Sequence, residues 1–197
     1  METILQVNTS ILSTEGQSTR LADEFVAALD VDRLIVRDLA KEPVPHLDAE
    51  RFGAFIAKDR NARQNEIVAY SDQLIAELKA ADTIVLGLPM YNFGVPSTLK
   101  AYFDHIARAG VTFRYTEHGP VGLLTGKKAY VFATRGGLYE GTPGDTQTAY
   151  VRQFLAFVGI TDVEFIYAEG LAISEASKAA SVQQAREKLQ QLVPAYA

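Results

Sequence analysis

Residues 83–97 read Thr-Ile-Val-Leu-Gly-Leu-Pro-Met-Tyr-Asn-Phe-Gly-Val-Pro-Ser. The run 83–88 is apolar almost throughout, which is typical of a strand buried on both faces of a parallel sheet. Pro89 ends that strand, and Ser97 is a suitable N-cap for a helix over 98–109, which Gly110 would end. This strand, loop and helix together predict one βα unit of an α/β fold.

The same alternation of apolar strands and amphipathic helices continues in both directions along the chain. Apolar β-branched runs predict further strands at 4–7, 34–36, 129–133 and 163–168. Apolar residues at helical spacing predict further helices at 18–29, 64–81, 146–158 and 175–193. The two longer connections are predicted to hold a short helix over 48–57 (within 38–63) and a small hairpin within 111–126. With no linker and no repeat, residues 1–197 are expected to form a single doubly wound domain.

Composition excludes several classes of protein. The 197 residues are 48% apolar, carry a net charge of −5 and contain no cysteine. No apolar run approaches the roughly 18–20 residues of a transmembrane helix, and no secretory signal is recognisable, so a cytoplasmic location is expected. Clustered Lys and Arg, which a nucleic acid would require, are absent. Without cysteine, the chain is neither a low-molecular-weight tyrosine phosphatase nor a thioredoxin-like redox protein.

The loop after the first predicted strand is rich in hydroxyl groups. In open α/β sheets, ligands bind beyond the carboxyl ends of the strands. This loop leads into a helix N-terminus, where free N–H groups and the helix dipole favour an anion. Ser10, Ser18 and Thr19 can donate hydroxyl hydrogen bonds to phosphate oxygens, and Gly16 lets the backbone approach closely. Simple helix capping by Ser18 is the alternative, and the loop matches neither a P-loop nor a Rossmann fingerprint.

Two further loops offer aromatic, amide and glycine groups to a flat ligand. After the third strand come Met90, Tyr91, Asn92 and Phe93, and after the fourth come Thr134, Arg135, Gly136 and Gly137. Aromatic rings can cover the face of a planar heterocycle, and paired glycines let it lie against the backbone. Ordinary packing of the aromatic residues and a plain turn at the glycines are the alternatives. Together the three loops predict a phosphate cradle beside two walls of a ring site.

Segments spread over essentially the whole chain resemble the FMN-dependent NADH azoreductases, also described as NADH:quinone reductases. The matching segments are 89–93, 107–115, 125–128, 135–137 and 159–162. The resemblance implies a flavodoxin-like α/β fold with five parallel strands in the order 2-1-3-4-5 and helices on both faces. It also implies FMN as cofactor, NADH as electron donor, and a homodimer with each active site at the subunit interface.

The resemblance also assigns roles to individual residues. Ser10, Gly16, Gln17 and Ser18 would bind the FMN phosphate and ribityl chain, while residues 90–93 and 134–137 would hold the isoalloxazine ring. Tyr115 and Phe157 are candidate aromatic walls around the substrate, with core packing as the alternative for Phe157. The implied reaction is ping-pong hydride transfer from NADH to quinones or azo compounds, with azo bonds cleaved to two amines. No catalytic side chain is expected, because FMN carries the chemistry.

Two other functions and a metal site are alternatives to this interpretation. A flavodoxin-type electron-transfer protein would need a strongly acidic docking face, and a net charge of −5 is modest. A response-regulator receiver would need a phosphoacceptor Asp at the end of the third strand, where Pro89 and Met90 stand. His46, His105 and His118 show no metal-ligand spacing, so no metal is expected.

Overall fold

The computed structural model describes residues 2–196. Its strands are β1 (Thr3–Asn8), β2 (Arg33–Asp38), β3 (Thr83–Pro89), β4 (Phe113–Thr116), β5 (Gly119–Gly122), β6 (Lys128–Thr134) and β7 (Asp162–Ala168). Five of them form one parallel sheet in the order β2-β1-β3-β6-β7. This order confirms the predicted 2-1-3-4-5 arrangement, since β6 and β7 are the fourth and fifth strands of that sheet.

Helices cover both faces of the sheet, as predicted. They are α1 (Gln17–Ala27), α2 (Ala49–Ile56), α3 (Ala62–Ala80), α4 (Ser97–Ile106), α5 (Thr146–Val158) and α6 (Glu175–Tyr196), with a 3₁₀ turn at Ser13–Glu15. Residues of α3, α4 and α5 pack on one face, together with Leu86 of β3. Residues of α1 and α6 pack on the other face, together with Val85. The strand β3 is therefore buried at every position, which explains its nearly continuous apolar sequence.

The helix α4 differs from its prediction at both ends. Its N-cap is Pro96, so Ser97 is the first helical residue and not the cap. The helix ends at Ile106, three residues before the predicted end, because the Thr112 hydroxyl donates to the Ile106 carbonyl at 2.6 Å and accepts from the Arg108 N–H at 3.0 Å. Gly110 (φ +78°) therefore lies in the following loop and does not end the helix.

The two long connections contain the elements that were predicted. The short helix α2 lies within the predicted 48–57, and Asp48 caps it by accepting from the Arg51 N–H at 2.8 Å. The helix α3 begins two residues earlier than predicted, because Asn61 and Gln64 form a capping box. Strands β4 and β5 form the hairpin. Gly119 and Pro120 lie within β5.

The hairpin lies at the amino-terminal end of the parallel sheet. It follows the end of α4, and it packs against the end of α5, where the Leu124 N–H donates to the Val158 carbonyl at 2.8 Å. A Cβ on Gly122 would lie 2.1 Å from the Gly159 nitrogen, so the two backbones are in close contact. The crossover helices return to the amino-terminal ends of the strands, which places the hairpin opposite the loops that follow β1, β3 and β6. Among residues 2–196, no helix has both the length and the apolar character needed to cross a bilayer.

Candidate functional site

The loops after β1, β3 and β6 meet at the carboxyl-terminal edge of the sheet. The Tyr91 hydroxyl lies 3.3 Å from Ser10 Oγ and accepts a hydrogen bond from the Ile11 N–H at 3.3 Å. The Met90 N–H donates to the Thr134 carbonyl at 2.9 Å. The structure thus brings the three predicted loops into one continuous surface.

The start of α1 has the features of an anion site. Gly16 is its N-cap, Gln17 is its first residue, and no side chain caps its free N–H groups. A Cβ on Gly16 would lie 2.2 Å from Ser10 Oγ, so the loop closes on itself only because residue 16 has no side chain. The hydroxyls of Ser18 and Thr19 are buried in the first turn without a hydrogen-bond partner among the described residues. An anion would supply acceptors at this point, and capping of α1 by Ser18 is not observed.

Residues 91–94 form a tight turn after β3. The Tyr91 N–H donates to the Gly94 carbonyl at 3.1 Å, and the Gly94 N–H donates back at 3.0 Å. Asn92 (φ +49°) and Phe93 (φ +63°) both have left-handed backbone conformations, as a type I′ turn requires. Asparagine tolerates that conformation, whereas a bulky residue rarely adopts it, at a cost of about 1–3 kcal/mol. The surrounding structure must therefore hold this turn in place.

An open cleft of about 280 Å³ separates this turn from the loop after β6. It is lined by Met90, Asn92, Phe93, Gly136, Gly137 and Tyr139. An amide, aromatic rings and bare glycine backbone are the groups that suit the edge and face of a planar heterocycle. Tyr139, which was not among the predicted residues, packs edge-on against Phe93, with 5.7 Å between ring centroids. Its ring also lies 2.8 Å from where a Cβ of Gly137 would be, so glycine is needed there.

Arg135 was expected to bind the ring, but its side chain points into the protein. It is 1% exposed and does not line the cleft. Its guanidinium donates to Asp145 at 2.8 Å and to Glu169 at 2.9 Å. Glu169 also accepts from the backbone N–H groups of Tyr139 and Glu140, at 3.0–3.2 Å. Arg135 and Glu169 therefore anchor the glycine loop from inside.

The first turn of α5 holds both walls of the cleft. None of its residues was predicted to belong to the site. Asp145 caps the helix by accepting from the Thr148 N–H at 3.0 Å. Burial raises the pKa of Asp145, but hydrogen bonds from Thr148 and Arg135 outweigh burial and hold this pKa below its ordinary value. Thr146 donates to the Phe93 carbonyl, and the Gln147 amide donates to carbonyls at both ends of the 90–93 segment.

One feature of the sequence points to the first turn of α5. Gln147 falls on the buried stripe of α5 that also contains Val151, Leu155 and Val158. A polar residue at a position where the helical spacing calls for an apolar one needs a buried hydrogen-bond partner. The partners are 53 and 58 residues away in sequence, so the pattern alone does not identify them.

Tyr115 and Phe157 lie far from the cleft of their own chain. Both contact Phe113 of the hairpin, with ring centroids 5.4 Å and 4.2 Å apart. Tyr115 is 74% exposed, while Phe157 is half-buried near the end of α5. At about 1.5 Å per residue, the helix carries Phe157 roughly 16 Å from Thr146, which touches the cleft turn. These two residues cannot line the cleft of the chain that carries them.

His105 is a core residue. It is 1% exposed, and its Nδ1 lies 2.9 Å from the Ala101 carbonyl, to which the neutral ring donates. Burial lowers the pKa of His105. In the part of the chain that the structure describes, no group of three or more His, Cys, Asp or Glu side chains is placed to hold a metal ion.

Known proteins are similar in sequence to this chain over almost its full length. The family model of the flavodoxin-like fold matches residues 2–193. A relative from Cellvibrio japonicus, named FMN-dependent NADH:quinone oxidoreductase, is 56% identical over 185 residues, which are 91% of this chain and 93% of the relative. A relative from Burkholderia lata, named FMN-dependent NADH:quinone oxidoreductase 6, is 56% identical over 195 residues, or 96% and 98% of the two chains.

Solved structures show the same architecture. An azoreductase from Bacillus anthracis superposes with a TM-score of 0.89 at 26% identity, covering 98% of this chain and 99% of that one. An FMN-dependent NADH-azoreductase from the same species, in complex with FMN, superposes with a TM-score of 0.85 at 25% identity, covering 98% and 100%. The chain therefore belongs to the family of FMN-dependent NADH:quinone oxidoreductases with a flavodoxin-like fold.

Proposed function

We propose that this chain binds FMN and uses it to transfer electrons from NADH to quinones and aromatic azo compounds by a ping-pong mechanism. The proposal rests on one observation: the start of α1, which has no side-chain cap, lies beside the open cleft. Tyr91, which precedes the cleft turn, contacts Ser10 of the loop before α1. One ligand with a phosphate at one end and a planar ring at the other fits both places. The names of the close relatives support FMN, NADH and quinone, and those of the structural neighbours support azo compounds.

The phosphate end of FMN would lie at the start of α1. Ser10 and the N–H groups that begin at Gln17 would donate to the phosphate oxygens, and Gly16 leaves the space for their approach. The ionised phosphate favours this position further, because the positive end of the helix dipole points at it. Ser18 adds a hydroxyl that otherwise has no acceptor among the described residues.

The ring end would lie between the 91–94 turn and the glycine loop. When bound, FMN supplies the redox chemistry, accepting a hydride from NADH and passing two electrons to the acceptor. The protein would fix the ring and present the Asn92 amide to its polar edge. Phe93 and Tyr139, at the mouth of the cleft, would limit the access of water to the ring. Because a ping-pong cycle uses one site for both substrates, the oxidised product NAD⁺ would leave before the quinone or azo compound enters. Cleavage of an azo bond to two amines takes two such cycles.

We further propose that the active enzyme is a homodimer in which the hairpin of one copy covers the cleft of the other. The hairpin lies at the opposite end of the sheet from its own cleft, so Tyr115 and Phe157 can act as substrate walls only for a second copy. Tyr115 is 74% exposed, and the nearby Val121 and Leu123 are 42% and 40% exposed, which leaves an apolar surface for such a contact. Because NADH is produced and reoxidised inside cells, we place this activity in the cytoplasm.

The visible absorption spectrum of the purified protein, before and after anaerobic addition of NADH, tests the proposed function. We expect flavin bands, if necessary after incubation with FMN, that NADH bleaches and a quinone restores. Flavin bands that NADH fails to bleach would instead indicate a flavodoxin-type electron carrier. Absence of flavin binding even after incubation with FMN would contradict the site itself.

A further inference from the structure

We propose that Gln147 is a positioning residue for the flavin ring: its amide holds the strained 91–94 turn in the conformation that the ring requires. The inference rests on the proposed function for the identity of the ring. The hydrogen bonds and backbone conformations that support it are those of the protein without a ligand.

The Gln147 amide bridges the two ends of the segment that carries the ring contacts. Its Nε2 donates to the Pro89 carbonyl and to the Gly94 carbonyl, both at 2.9 Å, and the residue is fully buried. Because both partners are carbonyl oxygens, only the NH₂ end of the amide can face them. The residues on either side of the 90–93 segment are therefore both hydrogen-bonded to the Gln147 side chain.

The other end of the same amide shows that packing does not explain this residue. Gln147 Oε1 is buried without a hydrogen-bond partner in the described part of the chain. An unsatisfied buried acceptor is unfavourable, and a methionine of similar length would fill the same space without one. The two bonds that Gln147 donates must offset that cost.

The turn needs an external tether because its own conformation is unfavourable. The two hydrogen bonds between Tyr91 and Gly94 close the turn but do not attach it to the rest of the protein. Thr146 and the Met90 N–H each hold one point of the segment, whereas Gln147 binds both of its ends. With Asn92 and Phe93 both left-handed, a segment that lost the Gln147 bonds would populate other conformations. FMN would then bind only the fraction of molecules in the competent conformation, and its apparent Kd would rise by the inverse of that fraction.

The test compares Gln147→Met with Val151→Ala, a control on the same buried stripe of α5 that removes packing and leaves the turn untouched. Hydrogen exchange of the apoprotein and the FMN dissociation constant are measured for both. For Gln147→Met we expect faster exchange confined to residues 90–94 and an FMN Kd raised about tenfold, which corresponds to roughly 1.4 kcal/mol. For Val151→Ala we expect a lower Tm with exchange at 90–94 and the FMN Kd unchanged.

A second variant guards against a simple loss of folding. Gln147→Glu keeps the shape of the side chain, and its carboxyl can donate a single hydrogen bond, only when protonated, so that it can restore one of the two bonds. We expect its FMN affinity to recover on going from alkaline to mildly acidic pH, relative to the wild type at the same pH. Under a purely structural role for Gln147, this recovery would only follow a matching change in Tm, with no change of exchange confined to residues 90–94.

The outcomes separate the inference from the proposed function. Wild-type exchange and FMN affinity in Gln147→Met would overturn the inference, as would an equal loss of affinity in Val151→Ala. A wild-type protein that binds no FMN would contradict the proposed function instead, while the exchange of residues 90–94 would still show whether Gln147 holds the turn.

Discussion

Replacing Gly16 by alanine tests whether the loop after β1 holds the FMN phosphate. The backbone of Gly16 (φ −69°, ψ 134°) is accessible to any residue, so alanine introduces no backbone strain. Its Cβ would, however, lie 2.2 Å from Oγ and 2.5 Å from Cβ of Ser10. Carbon atoms in contact normally lie about 3.5–4.0 Å apart, so the loop must open by roughly 1 Å.

Opening the loop separates Ser10 from the first turn of α1, and a phosphate could then no longer reach donors on both sides. A hydrogen bond to a charged group contributes roughly 1.5–3 kcal/mol, so the loss of two raises the FMN Kd by roughly 10²–10⁴-fold. Riboflavin, which lacks the phosphate, should bind Gly16→Ala and the wild type with the same Kd. The comparison assigns the loss to the phosphate and not to general misfolding.

Quenching of flavin fluorescence on titration with apoprotein measures both dissociation constants. Gly53→Ala is the matched control, because a Cβ at this position in α2 meets nothing within 4 Å. The control should bind FMN as the wild type does, with an equal or slightly higher Tm, since alanine favours a helix. An unchanged FMN Kd in Gly16→Ala, or equal losses for FMN and riboflavin, would refute the assignment of this loop.

Three further predictions concern a buried cation, a buried histidine and the hairpin. Arg135→Met leaves the carboxylates of Asp145 and Glu169, whose side chains are 8% and 12% exposed, without their cation. We expect the free energy of unfolding of the apoprotein to fall by about 3–5 kcal/mol in thermal or urea denaturation. A loss below about 1 kcal/mol would contradict the anchoring role. Burial lowers the pKa of His105 below 6.5, so that as pH falls through 6.5 the histidine is protonated in the unfolded chain before it is protonated in the folded one. The free energy of unfolding should therefore decrease below that pH. Urea denaturation of His105→Leu should show a smaller decrease than the wild type between about pH 7.5 and pH 5.5. Tyr115→Ala should retain the wild-type FMN Kd but show a lower kcat/KM for quinones. Mixing Tyr115→Ala with Gly16→Ala should restore activity, because a mixed dimer pairs one intact cleft with one intact hairpin. No recovery of activity in subunit-exchanged mixtures would argue against a shared site.

The strands could be predicted because they depend on local pattern, whereas their order was implied by the resemblance to a known family. A parallel strand covered on both faces must be apolar at nearly every position, and β3 is. The end of α4 could not be predicted in the same way, because Thr112, which lies beyond the helix, supplies the hydrogen bond that ends it. Helical spacing alone does not register a competing side chain six residues further on.

The location of the site could be predicted, but the direction of each side chain could not. Parallel topology requires the loops after β1, β3 and β6 to share one edge of the sheet. Whether Arg135 faces the cleft or the interior depends on Asp145 and Glu169, and Glu169 follows a different strand. The sequence did not reveal Tyr139 and Gln147 for the same reason, since their importance comes from contacts with the distant 89–94 segment and not from their neighbours in sequence.

The connection between β6 and α5 is held at both ends and exposed in the middle. Glu169 binds the N–H groups of Tyr139 and Glu140, and the helix begins again at Asp145. Residues 141–143 are exposed, and a Cβ on Gly141 would meet nothing within 4 Å. Insertions and deletions in that middle portion therefore leave both walls of the cleft where they are. Descendants of this chain can remodel the rim that incoming molecules meet first, and so diversify what they reduce, without rebuilding the floor on which the cofactor would rest.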